Sequence, residues 1–152
     1  MKMIYADHAA TTSVKPQVLE KMMPYLTEQY GNPSSLYSFA YNSKNAIETA
    51  RAQIADLLGA EVNEIYFTGC GTESDNWAIK GTAYAKADKG KHIITTKIEH
   101  HAVLHTCQYL EKKGYEVTYL GVDNFGMISL DELKAAIRPD TILISIMFAN
   151  MR

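Results

Sequence analysis

From Glu64 onward, short β-rich runs alternate with helix-patterned runs, and this alternation restricts the possible folds more than any other feature of the chain. The β-rich runs are residues 65–68, 92–96, 116–120 and 142–148. Between them lie residues 74–85, 102–113 and 130–137, whose apolar positions recur at helical spacing, and a turn at Asp123-Asn124-Phe125-Gly126. A strand followed by a covering helix, repeated, predicts an α/β fold: a mainly parallel sheet with helices on both faces and right-handed crossovers.

The region before Glu64 has a different pattern. Residues 15–30 place Val18, Leu19, Met22, Met23 and Leu26 at helical spacing around an interruption at Pro24, and Gly31-Asn32-Pro33-Ser34-Ser35 stops the run. Residues 39–58 form a second amphipathic pattern (Ala46, Ile47, Ala50, Ile54, Leu57, Leu58), closed by Gly59 as a C-cap. The expected organisation is an irregular and helical segment over 1–60 and a partial α/β domain over 61–152. There is no internal repeat, low-complexity tract or linker. The last apolar strand runs almost to Arg152, where a parallel sheet would continue into another crossover, so the architecture reads as interrupted there.

Composition limits the partners. Fifteen Lys+Arg against 17 Asp+Glu give a net charge of −2 with no basic stripe, which excludes a nucleic-acid phosphate track and favours a small-molecule partner. Two cysteines, Cys70 and Cys107, make no disulfide framework, which fits a reduced, cytoplasmic setting. The N-terminus has no apolar signal core, and no stretch reaches the roughly 18 apolar residues of a membrane span.

The segment from Phe67 to Asn76 stands between a predicted strand and a predicted helix. Gly69 and Gly71 permit tight backbone geometry, Thr72 and Ser74 offer hydroxyls, and the free N–H groups at the helix start favour an anion. The plainer alternative is a βα turn in which Thr72 caps the helix while Glu73 and Asp75 complement its dipole. The motif is neither the dinucleotide fingerprint nor a Walker loop, so a mononucleotide or a phosphorylated cofactor stays open.

His101 and His105, at i and i+4, can face one way on a helix, but no cysteine or carboxylate completes a metal-ligand set, and no metal site is expected. His100 follows a strand and precedes a helix, where ligands gather in open α/β sheets. Its imidazole is read either as a ring-stacking group or as a turn histidine bonded to backbone.

Four ordered motifs then carry a family likeness: Tyr5-Ala6-Asp7-His8-Ala9-Ala10-Thr11-Thr12, Gly31-Asn32-Pro33-Ser34-Ser35, Gly71-Thr72-Glu73-Ser74-Asp75-Asn76, and Glu99-His100 followed by Ala102-Val103-Leu104. The chain resembles the cysteine desulfurases, class V aminotransferase-like enzymes of fold type I, up to Asn150. The resemblance implies an incomplete fold type I large domain, pyridoxal phosphate as cofactor, Gly71 and Thr72 on its phosphate, and His100 stacked on its ring. It also implies release of sulfur from L-cysteine to a sulfur-acceptor protein, for iron-sulfur cluster assembly or thiolation, by a homodimer.

In that family the lysine that links to the cofactor, the residues that tune its ring and the sulfur-carrying cysteine come from sequence beyond Arg152. None of Lys80, Lys91, Lys97, Lys112 or Lys113 stands in the family's lysine motif, so no catalytic residue is assigned and the chain is read as an N-terminal part, inactive alone. Tyr37 departs from a usual histidine, Cys70 from a small serine or glycine context, and Met151 from the asparagine that approaches the cofactor. Cys70 and Cys107 are both expected to be packing residues. The alternatives are a non-catalytic oligomerising or interaction fragment and an autonomous flavodoxin-like nucleotide-binding domain, the latter leaving the motifs outside the phosphate loop unexplained.

Overall fold

The structure is a computed structural model that describes residues 4–150, and the chain divides into two compact units at the Phe67–Thr68 junction. Residue 151, where the resemblance places a departure, lies outside the described residues, as does Arg152.

The first unit is helical. Helix α1 (Pro16–Thr27) begins with a proline at its first turn, where the missing N–H costs no hydrogen bond. It runs through Pro24 without ending, and the N–H groups of Glu28 and Gln29 both return to the Pro24 carbonyl, at 2.9 and 2.7 Å. Helix α2 (Ser38–Leu58) ends where Gly59 takes the left-handed φ of 65° and returns its N–H to Asp56, as the sequence predicts. Gly31 brings the connection against the start of α2: a Cβ there would stand 2.6 Å from the Phe39 carbonyl oxygen and 2.9 Å from the Ala40 Cα. The Ser43 hydroxyl, nearly buried, donates to the Gln29 carbonyl at 2.7 Å.

Residues 65–68, expected as a strand, are not one. A single 3-10 turn (Val62–Glu64) precedes them, and the Ile65 carbonyl accepts from the Arg51 guanidinium of α2, not from a neighbouring strand. The same guanidinium covers the Phe67 ring at 5.0 Å. A β-rich composition without a strand to pair with leaves extended chain, and here a side chain satisfies it.

The second unit holds the sheet. In chain order it contains α3 (Gly71–Ala85), β1 (His92–Thr96), α4 (His101–Glu111), β2 (Glu116–Leu120), α5 (Leu130–Ala136) and β3 (Thr141–Ile144). The three strands are parallel in the order β2-β1-β3, so β1 is central and all five of its residues are buried. Burial of consecutive residues, whose side chains alternate, means that both faces of β1 are covered. Ile93 packs with Ile79 and Ala83 of α3, Val103, Cys107 and Leu110 of α4, and Tyr115, whose hydroxyl donates to the Ala83 carbonyl at 2.9 Å.

His92 links all three strands. Its Nδ1 lies 2.7 Å from the Thr141 hydroxyl on β3 and its Nε2 lies 2.8 Å from the Thr118 hydroxyl on β2. The Thr141 oxygen also accepts the Arg138 N–H at 2.8 Å, so Thr141 ties the turn before β3 to the His92 ring. Burial, then the nearby Arg138 charge, lowers the pKa of His92.

The last strand is shorter than the predicted 142–148, because side chains replace the ladder beyond Ile144. Ser145 still donates to the Ile94 carbonyl at 2.9 Å, but the Met147 N–H donates to the Glu99 carboxylate at 2.9 Å. Among the described residues no helix is long and apolar enough to cross a membrane.

Candidate functional site

The loop entering α3 differs from the predicted tight glycine turn. Neither Gly69 nor Gly71 adopts a left-handed φ; among the described residues Gly59, Gly114 and Gly126 do. What Gly71 supplies is space, since a Cβ on it would meet nothing within 4 Å. The helix begins at Gly71 with Cys70 at the cap position, and no side chain caps it. Thr72 therefore lies inside the first turn, which rules out its reading as the cap.

The loop is held from one side. Glu73 accepts the Gly69 N–H at 2.6 Å, and the Ser74 hydroxyl is 2.6 Å from the Thr68 hydroxyl, so Ser74 is engaged within the loop. The Ser74 N–H is the first to reach an acceptor inside the helix, the Cys70 carbonyl at 3.2 Å. The N–H groups of Gly71, Thr72 and Glu73 and the Thr72 hydroxyl have no acceptor among the described residues, which makes this helix end a site for an anion.

His100 is the cap of α4, with its Nδ1 accepting the Ala102 N–H at 3.1 Å. This backbone bond is the one the turn-histidine reading expects. The backbone bond fixes the ring, puts the proton of the neutral imidazole on Nε2, and leaves the ring lining a cavity.

That cavity, of about 350 Å³, runs between α3 and α4. Thr72, Asn76 and Lys80 form its α3 side, and His101, His105 and Tyr109 form its α4 side, with His100 and Thr72 at the end where both helices start. Each stripe repeats every four residues, which puts its members on one helical face. No carboxylate lines the cavity.

Within the groove, the Asn76 amide donates to the Thr72 carbonyl at 2.9 Å, and the Lys80 ammonium sits 4.6 Å from the Tyr109 ring centre. The hydrogen bond from the Tyr84 hydroxyl, then the charge of Lys113, lowers the pKa of Tyr109. His101 and His105 are exposed and stack at 5.1 Å. Among the described residues, no three His, Cys, Asp or Glu side chains are grouped to hold a metal ion.

Of the predicted residues, the structure brings Thr72 and His100 onto one cavity and puts Gly71 at the start of the helix beside it. The two cysteines differ. Cys107 is buried as expected, and burial, then Glu111, pushes its thiol up to about 11, whereas Cys70 is exposed, contrary to its reading as a packed residue. An uncapped helix start simply leaves the Cys70 side chain outside the fold.

Four residues had no site role in the sequence reading, although Asn76 and Glu99 stand in its motifs and Lys80 was weighed as a lysine candidate. Asn76, Lys80 and Tyr109 were findable from the fourfold spacing that begins at Thr72 and His101. Glu99, nearly buried (7% exposed), accepts from the Thr96 hydroxyl and the Met147 N–H at 2.9 Å each, and ties the loop that carries His100 to the segment after β3. The Met147 partner is 48 residues away, so the link across the two strand ends is not visible in the local sequence.

The aminotransferase class-V family model matches residues 4–151. The cysteine desulfurase IscS of Methanosarcina thermophila is 66% identical over 149 residues, covering 98% of this chain and 37% of that protein. A putative cysteine desulfurase IscS 1 of Bacillus subtilis is 54% identical, covering 99% and 40% respectively. Among solved structures, a NifS-like protein superposes with a TM-score of 0.91 at 44% identity, over 95% of this chain and 40% of that one. SspA in complex with cysteine gives 0.88 at 46% identity, over 93% and 41%. The chain thus spans about two fifths of the length of these relatives. The motifs, the parallel sheet and a match over nearly the whole chain agree: it belongs to the aminotransferase class-V family.

Proposed function

We propose that this chain forms the phosphate and ring-stacking end of a pyridoxal phosphate site in a cysteine desulfurase. The observation that carries the reading is the cavity end where the uncapped start of α3 and the capped imidazole of His100 meet. The residues fit the group. Three unpaired N–H groups and the Thr72 hydroxyl would hold the phosphate, the open space at Gly71 lets it approach the backbone, and the His100 ring, already oriented by Ala102, would face the pyridine. When bound, pyridoxal phosphate supplies the electron sink for chemistry at an amino acid's α-carbon.

The names of the relatives, a cysteine desulfurase and a protein in complex with cysteine, support L-cysteine as the amino acid; passage of its sulfur to an acceptor protein, for cluster assembly or thiolation, is part of the same proposal. A cytoplasmic homodimer belongs to the same reading. The 152-residue chain is proposed to bind the cofactor without turning over cysteine, because the lysine at the cavity, Lys80, is drawn onto the Tyr109 ring and stands in no family lysine motif.

The test is a titration of the chain with pyridoxal phosphate, followed by borohydride reduction and peptide mass mapping. Saturable binding, weakened by His100→Ala and Thr72→Ala and leaving no modified lysine, is the expected result. One stoichiometrically reduced lysine would replace this reading with a catalytically competent site. An absence of binding would favour the second reading, an oligomerising or interaction module. That reading draws support from the exposed apolar side chains of the first unit, among them Leu36, Leu57 and Leu58.

A further inference from the structure

Glu99 is a carboxylate with little access to water, and it sits beside a residue of the proposed site without lining the cavity itself. Both of its bonds, from the Thr96 hydroxyl at the end of β1 and from the Met147 N–H beyond β3, converge on the same oxygen, Oε1. A second link runs parallel to it, from the Asn150 amide to the Ile98 carbonyl at 3.1 Å. The loop from Thr96 to His100 is thereby fastened to the segment 147–150, at the C-terminal ends of two adjacent strands, where parallel sheets present ligands. Burial of a carboxylate is costly unless charge-assisted bonds compensate it, so the position calls for an explanation beyond packing.

We propose that Glu99 is a positioning residue: by clamping the end of β1 to the segment after β3 it fixes His100 in the capped orientation that stacks on the cofactor ring. The proposal rests on the pyridoxal phosphate reading. It leaves the phosphate end of the site, carried by α3, outside the reach of the clamp. Because both bonds enter one oxygen, an amide oxygen in that place can accept both, and the negative charge is dispensable.

The test compares Glu99→Leu, Glu99→Asp and Glu99→Gln in the 152-residue chain. Two readouts are used: the imidazole nitrogen shifts of His100 without ligand, and the affinities for pyridoxal phosphate and for inorganic phosphate. The Leu and Asp variants, which cannot make both bonds, are expected to blur the single-tautomer signature of His100. They should weaken pyridoxal phosphate about tenfold while phosphate changes less than about twofold. The Gln variant restores both readouts. Unchanged His100 shifts in the Leu and Asp variants, or an equal loss of both ligands, would overturn the clamp. Should Leu fail to fold, Asp decides. If the unmodified chain binds no pyridoxal phosphate, the function reading falls by itself, and the His100 shifts alone decide whether Glu99 positions the ring.

Discussion

Residues 4–67 and 68–150 use similar side chains to opposite effect. In the second unit the apolar residues close around β1: Ile93, Cys107, Leu110 and Ala83 are each 0% exposed. In the first, the buried hydrophobic residues are Ala40 and Ala55, while Leu36, Leu57 and Leu58 stand open. A strand buried on both faces draws helices onto it from far along the chain, whereas the apolar stripe of α1 buries no residue at all and that of α2 buries only small ones, Ala40, Ser43 and Ala55. An amphipathic pattern therefore predicts which face is apolar and does not predict that the face is covered within the same chain. The candidate cofactor site is built on the unit that has a closed core.

The largest expected effect sharpens this contrast. Leu110→Ala should destabilise the second unit by about 3 kcal/mol, through lost transfer energy and a residual cavity. Leu57→Ala, at a position 84% exposed, should stay within about 0.5 kcal/mol. Urea unfolding followed by Trp77, the single tryptophan and a residue of α3, reports on the second unit. Equal midpoints for the two variants would break the comparison.

Gly31→Ala tests the contrast from the other side. Although the first unit leaves large apolar groups open, a Cβ at Gly31 would collide with backbone of α2, which cannot swing away as a side chain can. A loss of about 2 kcal/mol in the stability of α2, read by amide hydrogen exchange over Ser38–Leu58, is the expected outcome. Unaltered exchange would mean that the turn is not held against α2.

Much of this division was legible in the sequence. The boundaries of β1 and β2 and the cap at Gly59 follow from short β-rich runs and a single glycine, both local signals. The failures share one cause. Residues 65–68 have strand composition, but the Ile65 carbonyl bonds to Arg51, and residues 145–148 have strand composition, but beyond Ser145 the Met147 N–H turns to the carboxylate of Glu99. In both cases a side chain distant in sequence takes the place of a ladder partner. The site divides the same way: Thr72 and His100 were found at helix starts, while Glu99 shows its role only through Met147.

The pH dependence of stability should come largely from the second unit. His92 is 1% exposed and bonded as the neutral ring, with Arg138, Asp140 and Glu116 as the charges that act on it. Its folded pKa is lowered, so below the ordinary value of 6.5 the unfolded chain takes up a proton that the folded one resists. Stability is then full above that value, declines as pH falls through the interval down to the lowered pKa, and levels off beneath it. In His92→Gln the decline of the urea midpoint between about pH 7 and 5 should flatten relative to the parent chain. An identical pH profile would show that protonation of His92 is not coupled to the three strands it joins.

The smallest perturbation asks whether the second unit is closed only on average. The thiolate is the species that reacts, and a thiol pushed up to about 11 is ionised to about one part in a thousand at pH 8. Cys107 is in addition 0% exposed, so its alkylation requires an opening of the packing between α4 and β1, whereas Cys70 stands exposed at the start of α3. Short exposure to iodoacetamide at pH 8, followed by peptide mass mapping, should therefore modify Cys70 at least about a hundredfold faster than Cys107. The Leu110→Ala variant should raise the Cys107 rate about tenfold for each roughly 1.4 kcal/mol of stability lost and leave the Cys70 rate alone. If instead both cysteines react alike in the parent chain, the core around β1 opens as readily as the loop at its edge. The contrast between the closed unit and the open one would then be a property of the average structure and not of its free energy.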